Sequence, residues 1–220
     1  MDQMVWYLVA APLFAVSVGM VHAHGGGLDS SGCHHDRRAG EYHCHRESPT
    51  DDVPYRRKDY LPRWADADGD CQNTRQEVLI SESRVPVTLG PRGCRVIAGQ
   101  WHDPYTGRVF ANPHRLDIDH VVPLREAHDS GADSWPRSRK RAFANDLANA
   151  NSLIAVYRGA NRSKGARDPA SWLPRNKAYH CAYVRAWKQV KNQWGLSMDS
   201  DEAEAIKKVL GNCQTASLIH

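Results

Sequence analysis

An acid and an imidazole stand side by side in Leu116-Asp117-Ile118-Asp119-His120-Val121-Val122-Pro123-Leu124. Imidazole titrates near neutrality, so His120 is the candidate general base of this chain. Asp119 offers a carboxylate oxygen beside it. Further on, after a second apolar run, Leu153-Ile154-Ala155-Val156, comes Asn161-Arg162-Ser163-Lys164-Gly165, with an amide oxygen and two cations. Lys164 lies three residues after Asn161, so one helical turn puts both on one face. An Asp-His pair alone is common. Its ordinary meaning is a half-buried histidine bonded to a carboxylate.

The elements that must position these residues can be read from patterning. Leu116, Ile118 and His120 alternate with Asp117, Asp119 and Val121, which predicts a short strand with one buried face. His120 and Asp119 then point to opposite sides unless the strand bends. Asn149-Ala150-Asn151 turns into a second strand, and Asn145, Asn149 and Asn151 are turn and cap residues. Asp66-Ala67-Asp68-Gly69-Asp70 has EF-hand acid spacing, but Cys71 stands where the sharp turn needs glycine, so a capped turn is expected. Thr74-Arg75-Gln76-Glu77 has capping-box spacing and opens a helix. Arg95 to Trp101 and Arg108 to Phe110 predict a hairpin about Asp103-Pro104-Tyr105-Thr106-Gly107, with Tyr105 at a rim. A helix or turn starts at Leu124. Arg137 to Leu147 is helical and basic, either a solvated face or a phosphate contact. Tyr179, Tyr183, Trp187, Val190 and Trp194 form a core stripe on a helix from Lys177 to Trp194. Asp199 opens a last helix through Leu210, stopped by Gly211.

Asp-His at a strand end, a second strand, then Asn in a basic turn or helix resembles the HNH endonucleases. The stretches Trp64 to Leu79, Gly93 to Gly107, Leu116 to Ala132, Phe143 to Leu147 and Asn161 to Pro174 are similar to small secreted bacterial HNH endonucleases. A softer likeness extends to Cys213. The resemblance implies an α+β fold with a ββα-metal (His-Me finger) core, joined by an additional β-hairpin and C-terminal helices and stapled by disulfides. It implies that His120 activates water while Asp119 and Asn161 hold Mg²⁺, with Mn²⁺ a substitute. Lys164 and Arg162 would contact nucleic acid, with Arg75, Glu77 and Asp117 as supporting residues. For Arg75 and Glu77 a structural ion pair is the alternative, and for Asp117 a surface position. Products would carry 5′-phosphate. Ser152 stands where many such proteins have the middle Asn, leaving Asn149 and Asn151 as its candidates. DNA cut with low sequence specificity is the expected substrate, since no helix-turn-helix or zinc-finger reader is present.

The chain of 220 residues suffices for one ordinary core, and its net charge of +4 suits a polyanionic partner without requiring one. Met1 to Ala23 is apolar and ends in Val21-His22-Ala23, a small-x-small cleavage site. It reads as a signal peptide of a secreted or periplasmic protein with no stable membrane association after cleavage. Asp2 and the lack of a basic start dissent, and an uncleaved anchor is the alternative. The six cysteines suggest local pairs: Cys71 with Cys94, Cys181 with Cys213, and Cys33 with Cys44. Residues 24–46 are His- and Cys-rich and resemble short YHYH-type modules. There Cys33, His34, His35, His43, Cys44 and His45 would bind Zn²⁺ or Cu²⁺, or surround a Cys33–Cys44 staple. Residues 47–54 read as a linker, and residues 55–220 as the endonuclease domain. Rival readings are an exported metal-binding protein and a non-catalytic nucleic-acid-binding module, each with a degenerate nuclease fold. The division into two functions has a direct consequence. A protein starting at Tyr55 should keep Mg²⁺-dependent cleavage and lose any tight Zn²⁺ or Cu²⁺ binding of the longer chain. A nuclease assay and a calorimetric titration on both proteins check this; a folded but inactive truncated protein contradicts it.

Overall fold

The computed structural model of the protein describes residues 53–216 and two short backbone stretches, 33–35 and 42–44. The chain divides into two units, residues 1–46 and 47–220. In the first, strands β1 (Cys33–His35) and β2 (Tyr42–Cys44) pair antiparallel, with Cys33 opposite Cys44 in register. The segment read as a signal, the side chains of the His-rich segment with the Cys33–Cys44 pairing, and residues 47–52 lie outside the described residues.

The second unit is α+β. Its centre is the antiparallel hairpin of β7 (Leu116–His120) and β8 (Leu153–Tyr157). Helix α5 (Arg158–Lys164) follows β8 without a break. The register sets Leu116 opposite Tyr157, Ile118 opposite Ala155 and His120 opposite Leu153. Residues directly opposite share a face, so the hairpin has two distinct sides. Leu116, Ile118, Leu153 and Ala155 pack on a smaller core with Val78, Leu79, Val96, Trp101 and Phe110. Ile154 and Val156 face a larger core that includes Tyr105, Phe143, Tyr183 and Trp187. Both faces are therefore covered, where alternation predicts only one. Asp117 and Asp119 lie on the larger-core side, and their burial depends on polar partners there.

The smaller core is closed by short elements. Helix α2 (Thr74–Ser81) supplies Val78 and Leu79. Its N-cap is Asn73, whose side chain accepts from the Gln76 amide, one residue earlier than the capping-box spacing implies. Thr74 instead donates to the Ala65 carbonyl and to Asn145. The acids before the helix cap their own turn: Asp66 accepts from the amides of Gly69 and Cys71. The expected hairpin forms about its turn, but its first strand is shorter than expected, because residues 96–98 pair elsewhere. Strands β3 (Thr88–Leu89) and β4 (Val96–Ala98) form one ribbon, and β5 (Trp101–Asp103) and β6 (Arg108–Phe110) another. The break falls at Gly99, where a Cβ would lie 2.5 Å from the Trp101 ring. Tyr105 is not at a rim. It is fully buried in the larger core.

Helices build the larger core: α1 (Arg57–Tyr60), α3 (Leu124–Asp129), α4 (Arg137–Ala144), α6 (His180–Trp194) and α7 (Ser200–Ala216). Tyr183, Trp187 and Val190 of α6 are buried as the aromatic stripe predicts. The basic residues of α4 are mostly exposed, and only Lys140 is buried. Arg137 pairs with Asp59, Arg139 donates to the Trp194 carbonyl, and buried Lys140 donates to that of Asp133. Helix α7 runs past Gly211 to Ala216. Glycine costs a helix about 1 kcal/mol, and the cystine from Cys213 to Cys181 offsets that by fixing the helix to α6.

Two disulfides close the described unit, Cys71–Cys94 across 23 residues and Cys181–Cys213 across 32. In the chain-entropy treatment each contributes about 3–4 kcal/mol. Replacing Cys71 and Cys94 together by Ser should lower unfolding stability by about 3 kcal/mol at an unchanged circular-dichroism spectrum. Chemical denaturation of the parent and the double variant measures it; equal midpoints contradict it.

Candidate active site

The end of β7 carries Asp119 and His120 to opposite faces of the hairpin, and each meets a different set of partners. His120 stacks on Trp64, with ring centroids 5.5 Å apart and planes 7° off parallel, and Phe143 lies beyond at 6.4 Å. Its Nε2 is 2.9 Å from the Ala144 carbonyl oxygen at the end of α4. A carbonyl only accepts, so Nε2 carries the proton and Nδ1 presents a lone pair. Burial pushes the imidazole far below its ordinary value, to about 3, against the Ala144 bond that favours the cation. The positive charges of Arg57 and Lys164 push the same way. His120 is therefore neutral at physiological pH with an unprotonated Nδ1, and burial places it well below the near-neutral value on which its candidacy as a base rests. The two clamps on its ring are themselves joined, because Asn145 accepts from the Ala65 amide next to Trp64 and from Thr74.

Asp119 is 5% exposed, and its partners explain how a carboxylate can be there. Its Oδ2 accepts from Tyr105 Oη at 2.6 Å and from Lys164 Nζ at 2.5 Å. Lys164, with no exposed surface, also donates to the His120 carbonyl at 2.7 Å. Its ammonium lies 5.9 Å from the ring centroid of Tyr105 and 6.0 Å from those of Tyr183 and Trp187. Burial raises the Asp119 carboxyl and lowers the Lys164 ammonium, and each charge opposes the shift of the other. Lys164 is thus not a surface phosphate contact; it is the buried counter-ion of Asp119. Like Asn161 it turns toward β7, as three-residue spacing predicts, but it is fully buried where Asn161 is only partly so.

Asn161 is partly buried, and its amide nitrogen donates to Asp117 Oδ2 at 3.3 Å. That bond leaves the amide oxygen available. Asp119, His120 and Asn161 all line one cavity of about 260 Å³, together with Arg57 and Arg125. Both bonds to Asp119 end on Oδ2, which leaves Oδ1 for a ligand. The available donors are oxygens, one anionic and one neutral, a set suited to a hard divalent cation with water completing its shell.

Of the expected supporting residues, Asp117 meets the site through Asn161, whereas Arg75 and Glu77 lie elsewhere. Arg75 donates to the carbonyls of Pro113 and Leu116, and so fixes the start of β7 rather than the site. Glu77 lies near the acids of the preceding turn, and their charges, after burial, raise its carboxyl. Asp66, Asp68 and Asp70 converge within 4.8 Å of one another but are exposed. Arg162 is exposed on α5. Asn149 and Asn151 donate to Gln193 and Gln189 of α6, and neither is bonded to His120. Sequence reasoning missed Tyr105 as the partner of Asp119, the Ala144 carbonyl, and Arg57 and Arg125. A backbone carbonyl has no side-chain signature, and Tyr105 lies 14 residues from its partner.

The depressed His120 value has a measurable sign. The unfolded chain binds a proton near pH 6.5, whereas the native histidine does so only near 3. Its contribution is fully present above the unfolded value and declines as pH falls from 6.5 toward 3, by up to about 1.4 kcal/mol per unit. In His120→Gln, an amide replaces the titrating ring. The slope of unfolding free energy against pH in that window should be shallower by about one proton. Urea titrations across the window test this; parallel slopes contradict it.

Comparison with known proteins agrees with the sequence resemblance. Residues 77–209 match the family described as GmrSD restriction endonucleases, C-terminal domain. An uncharacterized secreted protein of Arthroderma benhamiae is 40% identical over 156 residues, covering 71% of this chain and 74% of that protein. That relative is fungal, so the comparison does not carry the bacterial source implied by the resemblance. No solved structure matches the chain. The family match spans more than half of the sequence, and on that basis the chain belongs to the nuclease family of GmrSD C-terminal domains.

Proposed function

We propose that the protein is a secreted, metal-dependent endonuclease of the ββα-metal type, hydrolysing phosphodiester bonds of DNA with little sequence specificity. The observation that carries this reading is the neutral His120, held through Nε2 so that Nδ1 is the acceptor, on the same cavity as Asp119 and Asn161. The hairpin β7–β8 followed by α5 supplies the two strands and helix such a core requires. The family description names restriction endonucleases, which favours DNA. The secreted relative and the disulfides favour export.

In this mechanism Nδ1 of His120 accepts a proton from water as that water attacks phosphorus. Trp64 and the Ala144 carbonyl hold the ring so that no reorientation is needed during the reaction. Asp119 Oδ1 and Asn161 Oδ1 would hold Mg²⁺, with Mn²⁺ as substitute. The bound ion would neutralise phosphate charge and stabilise the departing 3′ oxygen. Lys164 keeps Asp119 ionised in its buried setting, and Tyr105 fixes which carboxylate oxygen remains available. Asp117 orients the Asn161 amide.

His120→Ala should lower cleavage of supercoiled plasmid by roughly 100-fold or more with the fold intact. EDTA should abolish cleavage by the parent, and added Mg²⁺ should restore it. Equal rates for parent and variant at matched circular dichroism refute the assignment of the base. A parent inert toward plasmid and oligonucleotide with Mg²⁺ or Mn²⁺ refutes the nuclease reading itself.

A further inference from the structure

We propose that Arg57 and Arg125 form the phosphate clamp of this site, gripping the nucleic-acid backbone where it passes His120. The inference rests on the nuclease reading and names the residues that meet its substrate. Arg57 comes from α1 and Arg125 from α3, yet both line the cavity that holds Asp119, His120 and Asn161. One ring organises them. The Arg125 guanidinium lies 5.8 Å from the centroid of Tyr55, and the charge of Arg57 acts on the same tyrosine, opposing the rise that burial causes in its hydroxyl. Tyr55 is in turn packed on Tyr60 and His128, at 5.9 and 5.5 Å between centroids.

The charge balance at the cavity calls for an anion. Asp119 is the carboxylate among its lining residues, and Lys164 already neutralises it. Among the described residues Arg57 forms no ion pair, and Arg125 has an exposed contact of 3.5 Å with Asp129. Exposed pairs of that kind are weak and readily exchanged for a better partner. Two guanidinium groups thus share a cavity wall and a common tyrosine with less than full compensation. A phosphodiester carries one negative charge on two non-bridging oxygens, and the planar guanidinium fork matches that geometry. Arg57 and His120 line the same cavity, so a phosphate held there lies beside the base. The buried Lys164 cannot fill this role, and the clamp supplies the contact expected of it.

The test measures binding apart from cleavage. In a His120→Ala background, the full chain is titrated against a short fluorescein-labelled DNA oligonucleotide by anisotropy, without divalent metal, over a range of salt. Arg57→Ala and Arg125→Ala should each weaken binding by about tenfold and flatten the dependence of log K on log salt by about 0.7–0.9. Arg57→Lys should keep the slope, and Arg185→Ala, on a helix outside the cavity, should serve as the unaffected control. In the His120-intact protein the alanine variants should raise KM more than they lower kcat. Unchanged affinity and salt slope in both alanine variants overturn the clamp even where the parent cleaves DNA. A parent that binds no oligonucleotide overturns it as well, whereas one that binds through these arginines but never cleaves overturns only the nuclease reading.

Discussion

The buried ammonium of Lys164 is the interaction on which the site depends. It bonds the Asp119 carboxylate and the His120 carbonyl, and so ties the end of β7 to the last turn of α5. A carboxylate placed in an aromatic core carries a desolvation cost of several kcal/mol unless paired and hydrogen-bonded. Lys164 and Tyr105 meet that requirement together. Loss of the ammonium alone would leave Asp119 as an uncompensated buried charge, which typically costs about 3–5 kcal/mol. The pair therefore serves geometry first. It fixes where the strand ends, and with it the position of His120.

With the strand end fixed, the ring of His120 needs only two further constraints. Trp64 sets its plane, and the Ala144 carbonyl sets its proton. A histidine in water samples both tautomers and is partly protonated near neutrality. Here burial removes the cation and one hydrogen bond removes one tautomer. What remains is a single unprotonated ring nitrogen, on a residue that lines a cavity with Asp119, Asn161, Arg57 and Arg125. The His120 position and its environment are thus parts of one device built from three separate stretches of chain.

Much of this arrangement was legible in the sequence. Alternation located β7, the apolar run located β8, and the step of three from Asn161 located Lys164 on the same side of α5. Depth was not legible. Spacing says which way a side chain points but not what covers it, so Lys164 and Tyr105 were expected at the surface and are buried. The hairpin expected about Asp103 to Gly107 forms, but its first strand begins only at Trp101, for a related reason. Its β-rich text is continuous, yet close approach of Trp101 at Gly99 separates it into two ribbons. Helix α7 runs past its glycine, and the cystine to Cys181 lies beyond that point. The Ala144 carbonyl was hidden in principle, since any residue there would present the same oxygen. The two arginines were hidden because neither α1 nor α3 carries a motif, and only the packed structure brings them to one cavity.

The central claim is that His120 is a neutral base whose Nε2 holds the proton. Nitrogen-15 NMR of the histidine side chains, assigned by comparison with His120→Gln, reads this directly through the ring N–H couplings and shifts. The account predicts an Nε2–H tautomer at neutral pH that persists on acidification and titrates only near 3. An Nδ1–H tautomer, or an imidazolium forming with a midpoint near the ordinary 6.5, would contradict it.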